Sequence, residues 1–235
     1  MPDFELLLER FFLSILHPGD TAVDVGAHTG RHTMPMLRAV APDGRVFAVE
    51  PLPVAREELR RRLRTEPGSR THVTIYPFAL SDHEATEEFV FAVDLPGYSG
   101  LKERIYDYPT RIERIPVEVK TLDGLLADAP ALQYLKIDAE GGELGVLRGA
   151  SRLIARLSPV ITFEFGANSL DNYGISVEDM AAFWKERPYR IFDILGRPLE
   201  PDAFVESAKR QEVWDYIALP SDRTAAVFER WRAVS

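Results

Sequence analysis

Three carboxylates follow apolar runs that are typical of buried parallel strands. Asp138 ends the run at 134–137, Glu140 follows two residues later, and Glu164 lies near the end of the run at 159–165. The carboxyl ends of parallel strands meet at one edge of a sheet, where open α/β sheets bind ligands. We therefore expect the three carboxylates to converge at one site.

A carboxylate cluster of this kind can do two kinds of chemistry. One carboxylate can act as general base on an alcohol, because burial and like-charged neighbours raise its basicity. Alternatively, Asp138 and Glu164 can hold Mg²⁺, which lowers the pKa of a bound hydroxyl group. A purely structural role is also open, since Asp138 and Glu143 can cap the following helix. We favour the structural role for Glu143 and a chemical role for Asp138 and Glu164.

A second pattern, nearer the N-terminus, predicts a nucleotide-like cofactor. The loop Gly26–Gly30 follows a predicted buried strand at 21–25, and Glu50 ends the next strand at 46–49. Strand, glycine loop, helix and acid-tipped strand form half of a nucleotide-binding βαβ unit. The loop lacks the middle glycine that lets a backbone approach a pyrophosphate, and the phosphate-loop Gly-Lys-Ser/Thr is absent. The pattern therefore favours a cofactor without phosphates.

Two acidic residues narrow the choice of cofactor. Glu50 can accept hydrogen bonds from both hydroxyls of a ribose. Asp24, at the entrance of the loop, can accept from an ammonium group directly or through water. An adenosine without phosphates, bound by an acidic loop, describes S-adenosylmethionine (SAM). The glycines alone could form a tight turn and nothing more, but together with Asp24 and Glu50 they favour the cofactor.

Several short motifs resemble the FkbM family of SAM-dependent methyltransferases. The motifs lie at 24–30 (Asp-Val-Gly-Ala-x-x-Gly), 46–51, 79–82, 135–143 and 147–150. The resemblance covers roughly residues 21–166, and Lys136-Ile137-Asp138 is its most specific part. It implies in-line transfer of a methyl group to a hydroxyl of a small molecule, such as a sugar or a natural-product scaffold. His28 departs from the family, which usually has asparagine at this position.

The patterns and the resemblance together give a set of candidate site residues. The candidate catalytic residues are Asp138, Glu164 and Glu140, and the candidate Mg²⁺ ligands are Asp138 and Glu164. The candidate SAM-binding residues are Asp24, Gly26, Ala27, His28, Gly30, Thr33, Glu50, Pro51, Ala79, Ser81, Ser99 and Asp138. Ser81 could reach the adenine amine or only cap a turn. Ser99 falls where the resemblance places a serine-containing loop over the cofactor.

The resemblance implies a fold that can position these residues. We expect an α/β, Rossmann-like class I methyltransferase fold with a mostly parallel seven-stranded sheet, its last strand antiparallel and helices on both faces. The 235 residues are expected to form a single domain, residues 1–235. Apolar residues at helical spacing predict an N-terminal helix within 1–20 that covers part of the sheet. Lys136 lies in a strand centre, which predicts a buried ion pair with Asp24, Glu50 or Glu164.

Other elements follow from periodicity and turn residues. We predict a third strand at 73–80, one helix from 143 to about 157, and two final strands at 190–194 and 214–219 joined by a polar loop. The irregular, tyrosine-rich stretch at 94–110 is expected to cover the acceptor.

Composition limits the partners. The 28 basic and 37 acidic side chains give a net charge of −9, which disfavours nucleic acid and anionic lipid as partners. No apolar run approaches the ~20 residues of a membrane span, and the N-terminus lacks the features of a signal peptide. The chain has no cysteine, which excludes disulfides and thiolate metal sites. We expect a cytoplasmic enzyme with a small-molecule acceptor, and its oligomeric state is open.

The principal prediction is therefore a SAM-dependent O-methyltransferase. The alternatives are a SAM-binding protein without turnover, an N-methyltransferase acting on a similar small molecule, and a dinucleotide-dependent dehydrogenase. The presence of Asp24, Glu50 and Asp138 argues against the first, and the missing middle glycine argues against the last.

Overall fold

The strands form two sheets in the computed structural model, which describes residues 3–66, 72–106, 109–170 and 172–234. The strands are Thr21–Val25 (β1), Arg45–Val49 (β2), Val73–Tyr76 (β3), Ala79–Leu80 (β4), Ala85–Ala92 (β5), Ile112–Lys120 (β6), Tyr134–Ile137 (β7), Val160–Glu164 (β8), Tyr189–Asp193 (β9), Pro198–Leu199 (β10) and Asp215–Pro220 (β11). The α-helices are Phe4–Ile15 (α1), Thr33–Val40 (α2), Pro53–Leu63 (α3), Leu122–Leu125, Glu143–Arg148, Ser151–Leu157, Val177–Lys185, Pro201–Arg210 and Thr224–Val234.

The larger sheet has the strand order β10-β9-β11-β8-β7-β1-β2-β3. The strands from β8 to β3 pair in parallel, whereas β11 runs antiparallel to both of its neighbours, β8 and β9. This arrangement confirms the expected mostly parallel sheet with an antiparallel last strand. The two-residue strand β10 adds an eighth strand at the edge beyond the predicted seven.

Both faces of this sheet are covered. All residues of β7 and β11 are buried, and since alternate residues of a strand point to opposite faces, neither face meets solvent there. Helix α1 begins at the cap Asp3, whose Oδ1 accepts from the Leu6 amide at 3.0 Å. Its buried residues repeat at helical spacing and pack against the core, and α1 contacts α2 and the helix 224–234.

The predicted third strand divides into two. Pro77 follows β3, and Ala79–Leu80 leaves the large sheet to pair with β6 in a small sheet of order β4-β6-β5. Strands β5 and β6 pair antiparallel along their length. The segment between them returns to β5, where Gly100 forms an isolated bridge with Val90.

The predicted helix from 143 to 157 is wrong as one element, because it is two helices separated at Gly149-Ala150. Asp123 stabilises the start of the second helix. Its carboxylate accepts from the amides of Arg152, at 3.0 Å, and Leu153, at 2.7 Å. A side chain distant in sequence therefore caps the second helix.

The predicted polar loop between the two final strands is also incorrect. It contains β10 and the helix Pro201–Arg210. This helix buries only Phe204 and Ala208, so its apolar pattern is sparse in the sequence.

Candidate cofactor and catalytic site

A cavity of about 770 Å³ opens at the carboxyl ends of β1, β2, β7 and β8. The loops after these strands, the first turn of α1 and the segment 96–104 line it. The candidate site residues in its lining are Gly26, Ala27, His28, Glu50, Pro51, Ala79, Ser99, Asp138, Glu140 and Glu164. The topology therefore brings the glycine loop with Glu50 and the carboxylates of Asp138, Glu140 and Glu164 into one cavity. This is expected because the strand ends of a parallel sheet share one edge.

Gly26 allows β1 and β7 to approach each other at the cavity floor. Its φ is +73°, and a Cβ placed there would overlap the backbone carbonyl of Asp138. The amides of Gly26 and Ala27 donate to the carbonyl of Val49, at 3.0 and 3.1 Å. The glycine is thus required by its close contact with the next part of the site.

Glu50 is buried beneath the cavity surface and held by two backbone amides. Its Oε2 accepts from the His28 amide, and its Oε1 accepts from the Leu52 amide, both at 2.7 Å. Burial raises the pKa of Glu50 to about 7, although these hydrogen bonds act in the opposite direction. Each carboxylate oxygen can accept more than one hydrogen bond, so Glu50 keeps acceptor capacity towards the cavity.

Lys136 connects the two acidic patterns. Its ammonium group lies 3.1 Å from Asp138 Oδ2 and 3.8 Å from Asp24 Oδ1. Burial lowers the pKa of Lys136, but the carboxylates of Asp138 and Asp24 outweigh burial and raise it overall. The predicted ion pair with Asp24 is confirmed. Asp138 is its second partner, rather than Glu50 or Glu164.

Asp24 lies behind the cavity wall. It is 1% exposed, and its Oδ2 accepts from Thr33 Oγ1 at 2.6 Å. Asp24 and Thr33 are therefore outside the cavity lining, where they support Lys136 and the start of α2.

Two further candidate residues lie outside the lining. Ser81 packs against the helix 143–148 and its end, because Cβ atoms at Gly145 and Gly149 would meet its hydroxyl and its carbonyl. Gly30 faces Leu59 of α3 in the same way. Neither residue presents a group to the cavity.

The segment 96–104 is attached over the cavity by side chains as well as by the bridge between Gly100 and Val90. Ser99 Oγ accepts from the Ala92 amide at 3.1 Å. The Arg104 guanidinium pairs with the Glu140 carboxylate and lies over the Tyr98 ring, 4.9 Å from its centre. Burial and the neighbouring Asp138 raise the pKa of Glu140 to about 8, while Arg104 opposes this rise. Of the predicted covering stretch at 94–110, Asp107 and Tyr108 lie outside the described residues.

The Glu164 side chain faces the cavity and makes no hydrogen bond or ion pair with any described residue. Burial, followed by the carboxylates of Asp138 and Glu140, raises the pKa of Glu164 well above its ordinary value. Its cross-strand partner in β11 is Asp215, which is buried. Burial and Asp138 raise the pKa of Asp215 to about 8. Sequence reasoning missed Asp215, although the antiparallel pairing of the last strand would have indicated it.

Glu143 has a structural role, but it is not the expected helix cap, because the helix 143–148 has Gly142 at its cap position and no side-chain cap hydrogen bond. Glu143 is 1% exposed, and its Oε1 accepts from the amides of Ala139, at 2.9 Å, and Gly141, at 3.1 Å. These bonds close the turn after β7, and burial raises the pKa of Glu143 to about 7.

The N-terminal helix adds residues that the sequence did not indicate. Phe4 and Glu5 line the cavity, and the Phe4 ring lies edge-on to Trp214, 4.7 Å between centres. Asn168 and Gln211 line the same cavity, and Gln211 Nε2 donates to Asn168 Oδ1 at 2.7 Å. Helical spacing marks Phe4 only as part of the apolar face of α1, and no motif marks Glu5, Asn168 or Gln211, because the proximity of these residues to the site arises only from packing.

Metal ligation has no further support from side-chain clustering. Within residues 3–66, 72–106, 109–170 and 172–234, no group of three or more His, Cys, Asp or Glu side chains is arranged to hold a metal ion. Asp138 and Glu164 both line the cavity, so a two-carboxylate magnesium site stays a prediction. Among the described helices, none has both the length and the apolar character that a membrane crossing requires.

Known proteins are similar to this chain in sequence or in fold. Methyltransferase 1 of Beauveria bassiana (strain ARSEF 2860) is 27% identical over 163 residues, which are 62% of this chain and 64% of that protein. The crystal structure of methyltransferase FkbM from Methylobacillus flagellatus KT has a TM-score of 0.54 and 19% identity, over 93% of this chain and 55% of that one. The O-methyltransferase TomG of Streptomyces achromogenes, in complex with SAM, has a TM-score of 0.50 and 14% identity, over 94% and 80% of the two chains.

The chain thus spans less than two thirds of the Beauveria protein and of the Methylobacillus structure. The family model for the methyltransferase FkbM domain matches residues 24–191. This range contains the glycine loop, Glu50, Asp138 and Glu164, and it is more than half of the chain. The chain therefore belongs to the methyltransferase FkbM domain family.

Proposed function

We propose that this protein is a SAM-dependent methyltransferase that transfers a methyl group to a hydroxyl of a small molecule. The observation that carries the proposal is a single cavity with Glu50 on one side of the glycine loop and with Asp138 and Glu164 on the other. Family membership and the SAM complex of the structurally similar TomG support the same assignment.

The residues of the cavity fit SAM. Glu50 is fixed by two backbone amides and keeps acceptor capacity for the two hydroxyls of a ribose. Phe78, Ala79 and Leu80 provide apolar lining for an adenine. Asp138, oriented by Lys136, supplies an acceptor for the methionyl ammonium. When bound, SAM supplies a methyl group on a positively charged sulfur that leaves as a neutral thioether.

Glu164 is the proposed general base. It lines the cavity and its carboxylate makes no hydrogen bond to a described residue, whereas Asp138 Oδ2 already accepts from Lys136. When an acceptor hydroxyl is methylated, the Glu164 carboxylate would take up the proton that this hydroxyl loses. The raised pKa of Glu164 makes it a stronger base towards an alcohol. A magnesium ion on Asp138 and Glu164 is the second proposal for activating the hydroxyl.

The cofactor assignment is tested by calorimetry with SAM. We expect Glu50→Ala to weaken SAM binding by roughly tenfold or more, because hydrogen bonds to charged groups contribute about 1.5–3 kcal/mol. Glu57→Ala, on the exposed part of α3, is the control and should leave binding unchanged. Unchanged affinity of the Glu50 variant, or stabilisation of the wild type by NAD but not by SAM, would overturn the assignment.

The reaction is tested by transfer of labelled methyl groups from SAM to matched alcohol and amine acceptors. We expect labelled ethers, with activity retained in EDTA if Glu164 is the base. Loss of activity in EDTA that is restored by Mg²⁺ would favour the metal instead. Methylation of amines alone would favour N-methylation, and SAM binding without any transfer would favour a binding protein.

A further inference from the structure

The first turn of α1 brings a carboxylate to two basic side chains at the cavity. Glu5 Oε2 lies 2.9 Å from Arg31 Nε and 3.1 Å from His32 Nε2. All three residues line the cavity. Arg31 directly follows the glycine loop, so a residue from the N-terminal helix fixes a cation beside the candidate cofactor site.

Arg31 retains most of its hydrogen-bonding capacity. A guanidinium carries five N–H donors, and only the Nε donor is used by Glu5 among the described residues. The side chain is 51% exposed. Glu5 stays ionised at neutral pH, because the neighbouring His32 lowers its pKa to about 2, with burial opposing this shift. Glu5 therefore orients Arg31 without occupying its two terminal amino groups.

The Glu5 carboxylate acts electrostatically on Lys136 and Asp215, which belong to β7 and β11. Arg56 and Asp138 are among the charges that act on Glu50. One cavity thus holds three complementary groups. Glu50 can accept from a ribose, Asp138 can accept from an ammonium group, and Arg31 carries a positive charge.

We propose that Arg31 binds the carboxylate of the methionyl end of SAM, and that Glu5 is the residue that positions it. This inference rests on the proposed function, since it assigns one end of the same cofactor. The methionyl end of SAM carries a positive ammonium group and a negative carboxylate. Asp138 can accept a hydrogen bond only from the ammonium, so the carboxylate needs a different partner. The two terminal amino groups of a guanidinium match a carboxylate with paired hydrogen bonds.

The test compares two ligands that differ only at this end. S-adenosylhomocysteine has the adenosine and the amino acid, whereas 5′-methylthioadenosine has the adenosine and a thioether but no amino acid. Calorimetry is used with wild type and Arg31→Gln. We expect Arg31→Gln to weaken the binding of S-adenosylhomocysteine by roughly tenfold or more. The affinity for 5′-methylthioadenosine should change by less than about twofold.

Arg38→Gln is the matched control. Arg38 also pairs with a glutamate, Glu66, but it lies outside the cavity lining. It should leave both affinities unchanged. Equal losses for both ligands in Arg31→Gln would show that the variant only disturbs the structure, and no loss for either would show that Arg31 binds no carboxylate. Either result would overturn the inference.

The positioning role of Glu5 has its own measurement. Glu5→Gln should weaken the binding of S-adenosylhomocysteine less than Arg31→Gln does. The double variant should bind this ligand no more weakly than Arg31→Gln alone, because Glu5 acts through Arg31. Additive losses would contradict this role. Failure of the proposed function looks different: wild type would then bind neither ligand, whereas equal wild-type affinities for the two ligands would overturn the Arg31 assignment alone.

Discussion

His28 lies in the left-handed region of backbone conformation, with φ +46°. Asparagine and histidine are among the residues enriched there, so the histidine fits where the family usually has asparagine. Its amide donates to Glu50, which shows that the backbone of this residue supports the site. Burial lowers the pKa of the His28 imidazole and Asp138 opposes this, so a neutral ring beside the cavity is favoured.

At the residue scale, the raised pKa of Glu164 predicts a pH dependence. A general base must be ionised, so kcat should rise with pH over a range above the ordinary carboxyl value of 4.5. We expect Glu164→Gln to remove this rise and to lower kcat roughly 100-fold or more, with SAM affinity within a few-fold of wild type. Steady-state kinetics from pH 5 to 9 measure both.

Glu143→Gln is the control for this experiment, since Glu143 accepts backbone hydrogen bonds and does not line the cavity. It should keep the ascending limb of the wild-type profile. A Glu164→Gln enzyme with an unchanged profile would remove Glu164 as the base and leave Asp138 as the candidate.

At the element scale, the break at Gly149 is what lets the helices 143–148 and 151–157 pack against the turn after β4. A Cβ at Gly149 would overlap the carbonyl of Ser81, which is backbone and cannot rotate away. This contact links two of the family motifs, 79–82 and 147–150, that are distant in sequence. Ser81 is thus explained by packing, which neither its spacing nor its side chain indicated.

Gly149→Ala tests this packing. We expect a loss of about 1–3 kcal/mol in the free energy of unfolding, the usual range for overpacking, measured by urea denaturation. Gly97→Ala is the control, because a Cβ there would meet no atom within 4 Å, and it should stay within about 0.5 kcal/mol of wild type. Equal stability of the two variants would contradict the close contact.

At the scale of the whole molecule, burial of several carboxylates at one sheet edge couples stability to pH. The pKa values of Glu50 and Glu143 are raised to about 7, and those of Glu140 and Asp215 to about 8. Between about pH 4.5 and 8 the folded protein therefore holds more protons than the unfolded chain, so stability falls as pH rises. The lowered pKa of Glu5 acts elsewhere, since its contribution is lost only as pH falls from about 4.5 to about 2.

The ligand-free protein should accordingly melt at a lower temperature at pH 8 than at pH 5.5. A net loss of about 1–2 kcal/mol would lower Tm by about 2–8 °C. Differential scanning calorimetry across this range measures it, and Glu143→Gln should show a smaller fall, because one of the contributing groups no longer ionises. A Tm that is constant or rises from pH 5.5 to 8 would contradict the prediction.

The sequence by itself determined the elements whose signal is local. The glycine spacing, Glu50 and Asp138 follow directly from short strands and loops, and the strand ends of a parallel sheet must share an edge. The period of α1 also depends only on neighbours in the chain, and the helix is present.

Only the tertiary structure decided which of these residues reach the cavity. Asp24 pairs with Lys136 and accepts from Thr33, and Ser81 packs against Gly149. Glu5 of α1 pairs with Arg31. These contacts join residues that are not neighbours in the sequence. The direction of a side chain at a strand end depends on the space and the charges that the neighbouring elements provide. The local sequence does not contain this information.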